Sequence, residues 1–147
     1  FFEPQLLAVP AMAFFIPLIM ATGGNVGIQS STIIVQALAD AGLQESVIKR
    51  LLKSLAVGFV NGIAIGTFVF LINWLLLSNG ILLSATVSVA LFSVVIIASL
   101  MGTITPLILV KVNINPALAS GPFITTANDL MGLGVYFSVA KALYDMV

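Results

Sequence analysis

From Ser54 to Val110 the chain carries no Asp, Glu, Lys or Arg. The same holds from Pro4 to Ala39, and between Val112 and Ala140 the one charge is Asp129. A helix needs about 20 mostly apolar residues to cross roughly 30 Å of hydrocarbon. In that order these three stretches therefore hold two, one and one crossings. Composition agrees, because 7% of the 147 residues are charged and 61% are hydrophobic, whereas a water-soluble domain is roughly 25% charged. With so little polar surface the solvent must be lipid. The expected fold class is an all-α integral membrane domain, a multi-pass bundle of about four transmembrane helices filling residues 1–147 as one pore domain.

Breakers divide the long stretches. Ser78-Asn79-Gly80 is a turn signal and separates a span at 55–77 from one at 81–107. Trp74 beside the turn suits a ring at the membrane interface. The last span, 117–144, is entered through Asn113-Ile114-Asn115-Pro116, with Pro116 placed where a helix begins. The first stretch is too long for one straight crossing, since 36 residues of helix would extend about 54 Å. Pro10, Pro17 and Gly23-Gly24-Asn25 interrupt it, so it reads as a span over 5–39, broken at Gly23 to Gly27. Lys49, Arg50 and Lys53 follow the first span and Lys111 follows the third. The positive-inside bias makes that side cytoplasmic, so both chain ends face outward. Phe1-Phe2-Glu3-Pro4 lacks the basic region of a signal peptide and reads as the tail of an earlier apolar segment.

The residue types narrow the function. Formal net charge is zero and no basic cluster interleaves with aromatics, so nucleic acid is not an expected partner. With no Cys and no His, thiolate chemistry, a Ser-His-Asp triad and soft-metal sites are all excluded. An intramembrane aspartyl protease needs two carboxylates sharing a proton, and each chain has one at depth. No enzymatic activity is expected.

What remains is a site for a hard cation. Asp129 is the only ionisable group deep in a span, where a carboxylate costs at least about 2.5 kcal/mol. Lys141 lies about 18 Å along the same helix, too far for an ion pair. A structural Asp hydrogen-bonded to Asn128, Thr125 or Thr126 is the plain alternative. The run Gly23 to Thr32 adds Asn25, Gln29, Ser30, Ser31 and Thr32 to three glycines. Unwound backbone at membrane depth is tolerated only where protein or a water-filled cavity covers it, and its carbonyls suit a hard ion. Gly121-Pro122 is expected to loosen the last helix before the acid and to free carbonyls beside the Thr125 and Thr126 hydroxyls. Mg2+ prefers oxygen ligands and retains much of its water. One Asp per subunit under-matches a divalent charge, so a twofold homodimer with two copies of Asp129 near its axis is expected, with protons competing for the pair. Gly58, Gly62 and Gly66 share one helix face and read as a packing surface. Asn61, Asn73, Ser93, Ser99, Thr103 and Thr105 read as helix glue.

Two segments resemble the membrane domain of the MgtE magnesium channels and transporters. One runs from Pro17 to Ala39 and contains Gly24-Asn25-x-Gly27-x-Gln29-Ser30, then Thr32 and Leu38-Ala39. The other runs from Asn115-Pro116-Ala117 to Gly132, with Gly121-Pro122, Thr125-Thr126 and Asp129. The resemblance implies the second to fifth helices of a five-helix, homodimeric domain with the pore between subunits. It implies that Asp129 faces hydrated Mg2+, helped by backbone oxygens near Gly24, Thr125 and Gly132. Asn25, Gln29, Gly121, Thr126 and Asn128 are then auxiliary pore-lining positions. Ile28 and Asn115 depart from the pattern, standing where a polar residue and an acid are common. The family carries cytoplasmic sensor domains, and its setting is a bacterial or archaeal inner membrane. The expected function is passage of Mg2+ or a similar hard divalent ion down its gradient. The rival is a proton- or sodium-coupled secondary transporter, because a lone membrane Asp also serves as a protonation site.

Overall fold

A computed structural model describes residues 7, 9–41, 46–78 and 80–145. Four long helices account for most of them: α1 (Ile16–Ala41), α2 (Val47–Leu71), α3 (Ile81–Lys111) and α4 (Pro116–Tyr144). A 3-10 segment, Pro10–Phe15, leads into α1, and a π-helical turn, Ile72–Leu76, extends α2. The expectation of a membrane bundle made of helices agrees with this order.

Helix α3 is the post around which the others stand. Helices α1, α2 and α4 all pack on it, and α4 also packs on α1. Its sequence explains the position, because small residues on every face admit a neighbour each: Ser84, Ser88, Ala90, Ala98, Ser99 and Gly102 are all buried. Pro106 is tolerated inside it, buried near its end. A proline there removes one backbone bond and kinks or strains a helix, which neighbouring helices offset in a membrane. The main apolar core lies where α3 meets the start of α1 and the end of α4: Met12, Ile19, Val87, Leu91, Tyr136 and Phe137. The Tyr136 hydroxyl donates to the Met12 carbonyl at 3.1 Å, so the phenol is satisfied within the core.

The glycine stripe of α2 behaves as its spacing predicts. Gly58, Gly62 and Gly66 are buried, and a Cβ on them would sit 2.8 Å from Ser99 Oγ, 2.9 Å from Phe92 Cδ2 and 3.2 Å from the Ser88 carbonyl. The missing side chains let α2 lie almost backbone to backbone on α3. Phe59 also meets Phe92 edge-on at 5.5 Å. Hydroxyl groups join the same pair, with Thr103 Oγ1 donating to Ser54 Oγ at 2.8 Å and Ser54 donating to the Ser99 carbonyl at 2.9 Å. Of the expected glue, Thr103 thus bridges helices, while the Ser93 hydroxyl bonds back to Val89 on its own helix. The outer face of α2 exposes Leu52, Val60, Ile63 and Phe68, a surface suited to acyl chains rather than water.

Two sequence expectations need correction. The first span has no break at Gly23 to Gly27, because α1 is helical without interruption from Ile16 to Ala41. The glycines are used for contact rather than unwinding: an intact helix keeps its backbone bonds satisfied in lipid, and bare Cα atoms let neighbours close in. Nor does Gly121-Pro122 open α4, which runs continuously from Pro116 to Tyr144. There the Thr125 hydroxyl donates to the Gly121 and Pro122 carbonyls at 3.2 and 3.0 Å, and Thr126 donates to Pro122 at 3.0 Å, so side chains cover part of the strain that proline introduces. Of the four helices, three among the described residues are long and apolar enough to cross a membrane by length and composition alone. Helix α4, with 29 residues, has the length, but its glycines, threonines, Asn128 and Asp129 make it the most polar. Its Asn128 and Asp129 turn toward α1.

Candidate cation site

The geometry begins with the three glycines of α1. Gly23, Gly24 and Gly27 are all buried, and each faces the side chains of α4. A Cβ on Gly24 would lie 3.5 Å from Asp129 Oδ1 and 3.7 Å from Thr125 Cγ2. One on Gly27 would strike the Asn128 amide and come 2.7 Å from Ile124 Cγ2. One on Gly23 would meet Val94 Cγ1 of α3 at 2.9 Å. Behind them Gly102 of α3 is pressed against the Gly27 carbonyl and lies near Ser30. Four glycines from two helices thus make a junction where α1, α3 and α4 converge.

Asn128 locks the junction. It is 2% exposed, and its Nδ2 donates to the Gly23 carbonyl at 3.3 Å, across from α4 to α1. Its Oδ1 is buried with no hydrogen-bond partner among the described residues. A carbonyl oxygen left bare costs about 1–3 kcal/mol, so the amide is held by packing against α1 and not by full satisfaction. The next residue, Asp129, is half-buried and points past the lock toward Gly24.

No described residue donates a hydrogen bond to the Asp129 carboxylate or pairs with it. The alternative of a structural Asp satisfied by Asn128, Thr125 or Thr126 therefore fails: Asn128 turns to Gly23, and both threonine protons go to the carbonyls of Gly121 and Pro122. A hydroxyl that donates inward presents its lone pairs outward, so Thr125 is left as an acceptor beside the acid. Gly132, one turn on, is buried against Ile19 and Val94, so its lack of a side chain serves packing. Asn25 and Gln29 share the exposed outer face of α1, Thr126 is exposed on α4, and Gly121 is half-buried with open space where a side chain would stand. The site residues thus fall into an inner set, Gly24, Thr125, Asn128, Asp129 and Gly132, and an outer set, Asn25, Gln29, Gly121 and Thr126. Among the described residues no cluster of three acids, histidines or cysteines exists. Gly102 was not among the sequence candidates; its signal was a lone glycine inside an otherwise bulky span.

A family model for divalent cation transporters, MgtE, matches residues 16–139. The chain belongs to the MgtE family. Among MgtE proteins, the magnesium transporter MgtE of Thermus thermophilus is 37% identical over 147 residues, covering 99% of this chain and 32% of that protein. The magnesium transporter MgtE of Bacillus subtilis is also 37% identical, over 97% of this chain and 32% of its own length. That of Enterococcus faecalis is 33% identical over 95% of this chain. The chain spans about a third of the length of these MgtE relatives. The match takes in both the glycine-rich helix α1 and the Asp129 region of α4.

Proposed function

We propose that this chain forms the pore-bearing membrane portion of a transporter that passes Mg2+ down its gradient. The observation that carries the reading is Asp129: a carboxylate at membrane depth, facing a bare glycine of α1, with no partner among the described residues to offset its charge. A carboxylate so placed is costly unless something compensates it, and a hydrated divalent ion does so. The ion keeps most of its water. Asp129 supplies the charge, the Thr125 hydroxyl a lone pair, and the carbonyls of Gly24 and Gly132 second lone pairs for the water shell. A twofold homodimer with the path at its interface brings a second Asp129 and matches the ion's charge. The exposed Asn25, Gln29 and Thr126 then line the path. The names of the related proteins, all magnesium transporters and none an enzyme, support the choice of ion and of transport over catalysis.

Flux into liposomes holding the intact protein tests the mode of transport. Uptake is expected to follow the Mg2+ gradient and to persist once pH and Na+ gradients are collapsed. Uptake that stops when either is collapsed would instead establish the coupled carrier. A series over Mg2+, Mn2+, Co2+ and Ca2+ fixes the selectivity.

A further inference from the structure

The side of α1 turned away from its neighbours changes character along its length. Leu18, near the start of the helix, is 38% exposed; from Asn25 onward the same side is polar, and Asn25, Gln29, Thr32 and Gln36 are all exposed. Steps of four, three and four residues keep these four side chains within about 60° of one another around the helix and spread them over about 16 Å along it. The opposite side carries the buried Gly23, Gly27 and Ile34 and packs on α3 and α4, so the stripe faces neither. No described residue hydrogen-bonds to the carboxamides of Asn25, Gln29 or Gln36, while the Thr32 hydroxyl donates to the Ile28 carbonyl at 2.9 Å and keeps its lone pairs for the outside. A carboxamide holds two donors and an acceptor, and leaving these bare in hydrocarbon is costly.

We propose that Thr32 and Gln36 continue the ion path from the depth of Asp129 to the cytoplasmic end of α1, with the Gln36 carboxamide as the last group on that helix to hydrogen-bond the water around the ion. The inference rests on the reading of Asp129 as the ion's counter-charge and gives that site a direction. Water along the stripe satisfies three carboxamides that lipid would leave bare. Their chemistry also suits passage: carboxamide and hydroxyl oxygens accept from the water shell of a hard cation that dehydrates reluctantly. Being uncharged, they hold it weakly, and conduction requires binding favourable enough for entry yet weak enough for exit. On the far side of Asn25 the same arc turns apolar at Leu18, so the hydrated half of the path lies toward Lys49 and Arg50, the end that the positive-inside bias places in the cytoplasm.

The test places single cysteines in the intact protein, with any cysteine outside this chain replaced by serine, and measures their reaction with a charged, membrane-impermeant methanethiosulfonate in everted membrane vesicles. Thr32→Cys and Gln36→Cys are expected to react at least about tenfold faster than Val60→Cys, because the reactive thiolate needs water and Val60, 66% exposed on the outer face of α2, meets acyl chains. Saturating Mg2+ is expected to slow the reaction at both stripe positions and to leave Val60→Cys unchanged. Gln36→Leu is expected to lower Mg2+ uptake about three- to tenfold, the worth of one hydrogen bond, and Gln36→Asn to restore part of it. Stripe cysteines that react no faster than Val60→Cys, reaction that Mg2+ does not slow, or parental uptake by Gln36→Leu would each overturn the proposal. Uptake by the parent protein is measured beside them: its absence would remove the transport function itself, whereas unreactive stripe cysteines in a protein that does transport Mg2+ would remove only the path along α1.

Discussion

At the scale of single residues, glycine decides more in this chain than any charged group except Asp129. The Gly27 position is the most demanding, since a methyl there would displace the Asn128 amide and crowd Ile124. Gly27→Ala is expected to destabilise the fold by about 1–3 kcal/mol, the usual result of overpacking a tight contact, and to move Asn128 off Gly23. Unfolding in mixed micelles measures the first effect; Gly24→Ala, whose Cβ meets only ordinary contacts at 3.5 and 3.7 Å, serves as the milder comparison. The importance of these glycines was legible in the sequence, but their mechanism was not. Three glycines in five residues are compatible both with an unwound segment and with a close helix crossing, and only the positions of Asn128 and Ile124 on α4 select the crossing. Asp129 stood out from sequence alone because no other charged residue lies deep in a span. That its neighbours' hydrogen bonds all turn elsewhere depends on rotamers and helix continuity, which composition does not carry.

At the scale of elements, α2 and α3 are joined by a glycine stripe and by the Ser54–Thr103 hydroxyl pair. The stripe could be read from its four-residue spacing, whereas Ser54 was passed over because it lies beside the basic segment that ends the preceding loop. Ser54→Ala and Thr103→Val are expected to be coupled: in a double-mutant cycle their interaction should come to about 0.6 kcal/mol, and to no more than about 1.7 kcal/mol. Strict additivity would mean that the hydroxyls do not support one another. The ends of the elements were partly legible. Asn115-Pro116 does start α4, with the Asn115 side chain accepting from the Ala117 amide at 3.0 Å. The turn before α3 falls where Ser78-Asn79-Gly80 placed it, and Ser78 adopts a left-handed φ of 51°. The start of α2 was set too late in sequence, at residue 55, because Lys49, Arg50 and Lys53 look like loop; in the structure they belong to its first two turns, beginning at Val47.

At the scale of the whole molecule, the four helices leave one side of α1 and α4 open around the acid, and four of the five basic residues, all but Lys141, gather at one end. Basic asymmetry orients membrane proteins with that end in the cytoplasm. The chain has no cysteine, so single cysteines report topology cleanly. A membrane-impermeant maleimide is expected to label Asn113→Cys from the cytoplasmic side and Ser78→Cys from the opposite side; labelling of both from one side would remove the four-crossing arrangement. The fourth crossing was the least secure part of the sequence reading in physical terms, because the residues that build the site are the same ones that make α4 too polar to be counted by apolarity.

Whether the Asp129 carboxylate serves the ion is tested most directly by Mg2+ uptake into liposomes containing the intact protein with Asp129→Asn, a near-isosteric change that removes charge and little else. The account predicts that uptake falls by about tenfold or more, equivalent to at least about 1.4 kcal/mol of lost cation stabilisation, while the protein elutes and melts as the parent does. Parental uptake by that variant, at parental Mg2+ dependence, would contradict it.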